Sequence, residues 1–542
     1  MTAGPGPDAD VLGLLVLAFD GTALPVNMEQ RLASAPAAGV TLFCATNVGS
    51  PAQVRALTDA TQRAATASGL ADGMPLLVAI DQEGGQLQAL GGASTPFAGN
   101  MALGAVGDAL LAERVGHATG RELLAVGVNV AYAPVCDLAT NPANPAIGIR
   151  SFGEEPFAAA GLVAAMVRGM RAAGVAATAK HFPGLGDVAL DTHDSLALTN
   201  RDRRRLESTE LVPFRAAVEA GVDLVMSAHL AVPALTGDRL LPATLSREVM
   251  HDLLRTGMGF TGLSVTDALD MGALAQGRSQ ILDAIAALQA GVDLLLCTPD
   301  QEAIDRIEEG LQHAMRRRLL ESGAVRASLG RVSALRRRLG STLQPDLHVV
   351  GCADHALLAR ELAERSITVV RNDDGLLPLK LETGARVAAM MPTPRDLTPA
   401  DTSSTVVPTL ADALRRHHGS VEEFVTGHPP SDAEIAALRD RAAGFDLLVI
   451  GTISATIEPA QAALVNALLD TGVPAVTVAL RTPFDLGAYP RATTHVCTYG
   501  ILRPSLDALA DVLWGAIPPV GRLPASIAGL APVGSGLTEL AN

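Results

Sequence analysis

The sequence predicts an α/β protein of two parts: an N-terminal (β/α)8 barrel and a smaller C-terminal α/β sandwich domain with a mostly parallel sheet. Three observations carry this expectation. Eight short apolar runs alternate with helix-spaced segments over about the first 300 residues. Charged residues sit in one phase, at the C-terminal ends of those runs. A second strand–helix alternation then begins after a short polar stretch.

The eight runs fall at 14–19, 39–44, 75–80, 126–133, 174–179, 222–227, 262–266 and 291–297. Each has the length and continuous apolar character of a strand buried on both faces. The intervening segments, such as 156–173 and 213–220, are rich in Ala, Leu and Arg at helical spacing. The basic stretch 316–338 reads as a solvated helical connector, and 342–347 as the start of a linker. The expected organisation is therefore a catalytic barrel over 1–340, a linker over 341–350, and the second domain over 351–542. Five runs in that domain, 367–371, 387–391, 447–450, 475–480 and 495–499, read as strands. The domain carries neither a phosphate-binding P-loop nor a dinucleotide fingerprint, and it shows no catalytic constellation.

The 542 residues are 48% apolar, enough for sizeable cores in two or three domains. Lys and Arg number 41 against 57 Asp and Glu, a net charge of −16, which opposes nonspecific binding to nucleic acid or anionic membranes. The first ten residues lack the basic-then-apolar order of a signal peptide, and no apolar run has the length of a membrane span. The 5 cysteines are dispersed, which predicts buried thiols in a reducing cytoplasm, with no disulfide framework and no zinc site. No metal or organic cofactor is expected, and a monomer or homodimer is.

Residues 180–193, Lys-His-Phe-Pro-Gly-Leu-Gly-Asp-Val-Ala-Leu-Asp-Thr-His, hold the densest chemistry. Lys180 and His181 end a strand; Pro183, Gly184 and Gly186 break it; Asp191 and His193 follow on a loop. An imidazole beside a carboxylate is suited to proton transfer near neutral pH. Asp and His are also common in solvated loops, and strand ends are polar in any α/β protein. What favours a site is the shared phase: Asp81, Asp137, Lys180 with His181, His229 and Asp267 stand at or just beyond the C-terminal ends of five strand candidates. In a barrel, those ends converge on one face.

Five motifs occur in order: Ile80-Asp81-Gln82-Glu83-Gly84-Gly85; Asn141-Pro142 through Arg150-Ser151-Phe152-Gly153; Lys180-His181-Phe182-Pro183-Gly184; Pro242-Ala243-Thr244-Leu245-Ser246; and Val265-Thr266-Asp267-Ala268-Leu269-Asp270-Met271. Together they resemble glycoside hydrolase family 3. The Asp191-Thr192-His193 pair resembles its β-N-acetylglucosaminidase branch, in the two-domain form. The resemblance implies a retaining exo-acting hydrolase of a small carbohydrate, with a place in cell-wall fragment recycling. It makes Asp267 the nucleophile and His193, oriented by Asp191, the acid/base. Asp81, Arg150, Lys180 and His181 become sugar-binding residues, with Asp137 and His229 in contact or in support. A phosphorylase or a β-glucosidase or xylosidase of the same family stands as the alternative, and an inactive sugar-binding protein as a distant one. Leu185 stands where histidine is common, and two further departures stand out: Gln86 and Ala89 occupy places where the family usually has arginines. Their absence weighs against an acidic sugar substituent.

Overall fold

The computed structural model describes residues 11–67, 73–237 and 239–540. The first ten residues, read above as lacking a leader, lie outside them. All eight predicted barrel strands are present: β1 Leu15–Leu17, β2 Gly39–Leu42, β3 Leu77–Ile80, β4 Val130–Ala131, β5 Ala176–Phe182, β6 Leu224–Ser227, β7 Leu263–Thr266 and β8 Leu295–Leu296. They pair in parallel in chain order, and β1 also pairs with β8. A parallel bridge between Val265 and Leu294 brings β7 against β8 and closes the ring.

Alternation along these short strands divides the core. Leu77, Ala79, Val130, Ala176, Leu224, Met226, Leu263 and Val265 fill the barrel interior. Their neighbours, such as Val40, Val78, Ile80 and Val225, pack outward against the helices. The interior is thus packed with side chains, as strands of period two require.

The basic stretch 316–338 departs from expectation. It is not a solvated connector but the end of helix Gln301–Arg316 followed by helix Ser322–Leu339. Val332, Leu335 and Leu339 of the second helix join the barrel-interior cluster. Its arginines serve structure: Arg331 pairs with Asp293 at 2.5 Å, Arg338 with Asp223 at 2.9 Å, and Arg336 donates to the Pro75 carbonyl at 2.8 Å. Asp293, Asp223 and Pro75 all precede strands, so this helix plugs the bottom of the barrel and leaves the opposite face for the site.

The second domain contains a six-stranded sheet: β9 Thr368–Asn372, β10 Val387–Pro392, β11 Val421–Thr426, β12 Leu447–Thr452, β13 Ala475–Ala479 and β14 Thr494–Cys497. Its order is β9-β14-β13-β12-β10-β11, parallel except for β9. Strand β11 was not predicted. Helix Ala353–Ser366 leads into this domain and packs on the barrel helices Asn100–Val106 and Ala109–Ala125. Its His355 Nδ1 lies 2.8 Å from Glu122 of the barrel. One continuous apolar cluster includes residues of both domains. No helix among the described residues is long and apolar enough to cross a membrane. Cys136, Cys297 and Cys497 are buried, Cys44 and Cys352 half-buried, and all five are unpaired.

Candidate active site

The C-terminal ends of the barrel strands open into a cavity of about 730 Å³. Asp81, Arg150, Lys180, His181, His193 and Asp267 all line it. The structure therefore brings together six of the nine residues singled out above. Asp191 stands behind His193, and Asp137 behind His181. His229 does not reach the cavity.

Asp267 follows β7 directly. Its Oδ1 accepts from the Ala268 N–H at 2.8 Å. Burial works against ionising this carboxyl. The histidines around it, which take up charge at the acid pH where Asp267 titrates, and the Ala268 N–H more than offset that, so its pKa lies below the ordinary aspartate value. A carboxylate held ionised at the mouth of the barrel is a competent nucleophile or cation stabiliser.

His193 sits on the loop after β5. Its Nδ1 is 2.6 Å from Asp191 Oδ1, and the same oxygen accepts the His193 backbone N–H at 2.9 Å. The Asp191 pair fixes the ring and leaves Nε2 for chemistry. Burial opposes charge on this imidazole, but the hydrogen bond to Asp191 and the charges of Asp191 and Asp267 prevail, and its pKa is raised above the ordinary histidine value. The loop is seated on the segment that follows Asp267: the Gly272 N–H donates to the His193 carbonyl at 2.8 Å. A Cβ on Gly272 would come within 2.4 Å of the Asp194 carbonyl oxygen, so only glycine permits this approach.

The cations form one buried network. Arg150 makes a two-pronged pair with Glu83, both bonds 2.9 Å, and Lys180 reaches Glu83 at 2.6 Å and Asp81 at 2.5 Å. Glu83 belongs to the Asp81 motif but carries no predicted role; two carboxylates two residues apart beside a strand end were the available signal. Burial opposes its ionisation, but Arg150 and Lys180 outweigh this and bring its pKa to about 2. Glu83 thus holds both cations in place.

His181 Nδ1 lies 2.6 Å from Asp137 Oδ2, and its Nε2 lies 3.3 Å from Arg150 Nη2. A guanidinium only donates, so Nε2 accepts and the proton resides on Nδ1. The second oxygen of Asp137 accepts the Leu185 N–H at 2.6 Å. Asp137 therefore orients the wall, without a direct path to a ligand. His229 is similarly spent: Nε2 lies 3.0 Å from the Ala268 carbonyl, and Nδ1 lies 2.8 Å from Thr244 Oγ1. Burial lowers its pKa. A neutral ring with N–H at Nε2 satisfies both contacts and braces the turn after Asp267.

The second domain also lines the cavity, through Asp396, Thr398, Pro399, Ala400, Asp401, Thr402, Ser404 and Thr405. Sequence reasoning placed no residue of this domain at the site. Ala89 and Leu185 supply apolar wall on the barrel side.

A carboxylate and an imidazole whose charged forms are favoured face one pocket lined by polar groups, an arrangement that fits a barrel enzyme of the glycosidase class. Comparison with known proteins narrows this. Residues 19–335 match the glycosyl hydrolase family 3 N terminal domain, and residues 367–532 the glycosyl hydrolase family 3 C-terminal domain. The chain belongs to glycoside hydrolase family 3. It is 31% identical to beta-hexosaminidase A of Pseudoalteromonas piscicida over 562 aligned positions, covering 93% of this chain and 92% of that one. It is 32% identical to the beta-N-acetylglucosaminidase/beta-glucosidase of Cellulomonas fimi, covering 83% of each. Among solved structures, the family 3 beta-N-acetylglucosaminidase of Paenibacillus sp. str. FPU-7 superposes with a TM-score of 0.90 at 34% identity, over 97% of this chain and 99% of that one.

Proposed function

We propose that the protein is a retaining exo-β-N-acetylglucosaminidase working through a glycosyl-aspartate at Asp267. The observation that carries this reading is that Asp267 and His193, the latter held 2.6 Å from Asp191, line one pocket with the charged form of each favoured. In the first step an Asp267 oxygen bonds to the anomeric carbon as the bond to the leaving oxygen breaks. His193 Nε2–H gives its proton to that oxygen. Esterification removes the negative charge of Asp267. That charge is one cause of the raised His193 pKa, so in the intermediate the ring holds a proton less tightly and stays neutral, free to accept one. Neutral His193 then takes a proton from water as the water oxygen attacks, and Asp267 leaves as carboxylate. Asp81, Lys180, Arg150 and His181 read the hydroxyls of the terminal sugar.

Turnover of 4-nitrophenyl N-acetyl-β-glucosaminide against the matching glucoside tests the substrate. Preference for the glucoside would overturn it. The acid/base is an imidazole, which does not repel an incoming phosphate as a carboxylate would, so the assay is run with and without inorganic phosphate. Free N-acetylglucosamine in both is expected; a sugar 1-phosphate would assign a phosphorylase instead.

A further inference from the structure

The barrel loop carrying Gln86 meets the second domain in an unusually complete set of contacts. Arg481, which follows β13, donates through Nη2 to Gln86 Oε1 and through Nη1 to Asp401 Oδ2, the latter at 2.8 Å. The Arg481 and Asp401 side chains are 5% and 0% exposed, so the pair is dry. Around it the backbone is stitched across domains. Thr402 donates to the Gln86 carbonyl through its N–H at 2.8 Å and its hydroxyl at 3.0 Å, and the Gln88 N–H donates to Thr402 Oγ1 at 3.1 Å. Asp401 also accepts the N–H groups of Leu397 at 3.1 Å and Ser403 at 2.9 Å, which fixes the fold of residues 396–405.

The fastened segment sets Thr398 against the cavity, with a hydroxyl that is buried and unpartnered. Thr398 lines the cavity, is 6% exposed, and its Oγ1 has no hydrogen-bond partner in the protein. A buried hydroxyl without a partner is costly unless something supplies one. The terminal-sugar groups Asp81, Lys180 and Arg150 all belong to the barrel, so the second-domain wall is left to meet the leaving side of the substrate.

We propose that Arg481 and Asp401 are positioning residues that latch residues 396–405 onto Gln86, and that Thr398 is the residue that reads the leaving-side sugar. This rests on the functional reading above. Arg481, brought from the second domain to Gln86, anchors a recognition wall; its charge is consumed by Asp401 and is not offered to the substrate. The leaving unit is accordingly a neutral sugar read by hydrogen bonding, not a carboxylate-bearing one.

The test uses the full chain with three variants: Arg481→Met, the charge-balanced double variant Arg481→Met/Asp401→Asn, and Thr398→Val. The single Arg481 change leaves a buried carboxylate unpaired and risks local unfolding; the double change removes that cost. Hydrogen exchange is followed over residues 396–405, and kinetics are compared on chitobiose and on 4-nitrophenyl N-acetyl-β-glucosaminide. In both Arg481 variants exchange accelerates at the amides of Leu397, Thr402 and Ser403, and KM for chitobiose rises about tenfold while the aryl glycoside changes less than about threefold. Thr398→Val reproduces the chitobiose loss with exchange unchanged. Unaltered exchange in the double variant overturns the latch. Equal losses on both substrates, or none, overturn the reading of Thr398 and the wall. Failure of the wild type to cleave either substrate overturns the functional reading instead, and the exchange arm still decides the latch.

Discussion

At the scale of single residues, the site is a set of charges that stabilise one another. Because His193 is raised and Asp267 lowered, kcat/KM should follow a bell. Activity is lost on the acid side as Asp267 protonates below the ordinary carboxylate range. On the alkaline side it is lost as His193 deprotonates above the ordinary imidazole value of about 6.5. Asp191→Asn removes the principal support of the imidazolium and should move the alkaline limb to lower pH while leaving the acid limb in place. A pH profile of the two proteins checks this, and an unmoved limb assigns the acid to another group. His193→Ala should slow a natural glycoside by about 10²–10⁴-fold and a dinitrophenyl glycoside far less at glycosylation. Azide should restore turnover of the activated substrate as a β-glycosyl azide; uniform losses without rescue would remove His193 from the acid/base role. A mechanism-based fluorosugar should label Asp267, and mass spectrometry placing the label on Asp270 would reject the nucleophile. Glu83→Gln strips the shared partner from two buried cations, so a loss of roughly 3–5 kcal/mol of stability is expected from thermal or urea unfolding.

At the scale of elements, the His193 loop depends on a neighbour it does not adjoin in sequence. Gly272→Ala forces the Asp194 carbonyl away and with it the His193 ring. A displacement near 1 Å costs up to about a hundredfold in rate. The loss should be larger for poor leaving groups than for good ones, because proton delivery is what moves; equal losses would mean the nucleophile strand had shifted instead. Elements also show what the sequence discloses. The eight barrel strands are legible because burial on both faces leaves unbroken apolar runs. Strand β11 is not, because it lies at the sheet edge, pairs only with β10, and carries Glu422 and Glu423 in its middle. The helix Ser322–Leu339 reads as solvated from its arginines, since its buried stripe is narrow and its guanidinium groups find partners distant in sequence. Asp267 and the Asp191–His193 pair are announced by local motifs. Residues 396–405 and Arg481 carry no local signal, and only tertiary contact shows that they border the cavity.

At the scale of the whole molecule, the two domains share one apolar cluster and a buried set of cross-domain hydrogen bonds around Gln86, Thr402 and Arg481, so they should melt together. Calorimetry of the full chain is expected to give a single transition; two resolved transitions would show independent domains. Truncation after residue 345 uncovers the barrel face of helices Asn100–Val106 and Ala109–Ala125 and should yield an aggregation-prone product by size-exclusion chromatography. It should not remove the acid/base, since Asp191, His193 and Asp267 all remain. A folded truncation defective only in proton transfer would place that group in the second domain.

The meeting of Arg481 with Gln86 has a consequence for how the enzyme comes into being. Chains emerge from the ribosome N-terminus first, at about 5–20 residues per second. Asp267 is therefore made about 10–40 seconds before Arg481. Through that interval the chain lacks Arg481 and, with it, the latch proposed for residues 396–405. On the proposed latch, the second-domain wall can be fastened only after a residue from near the end of the chain has been made.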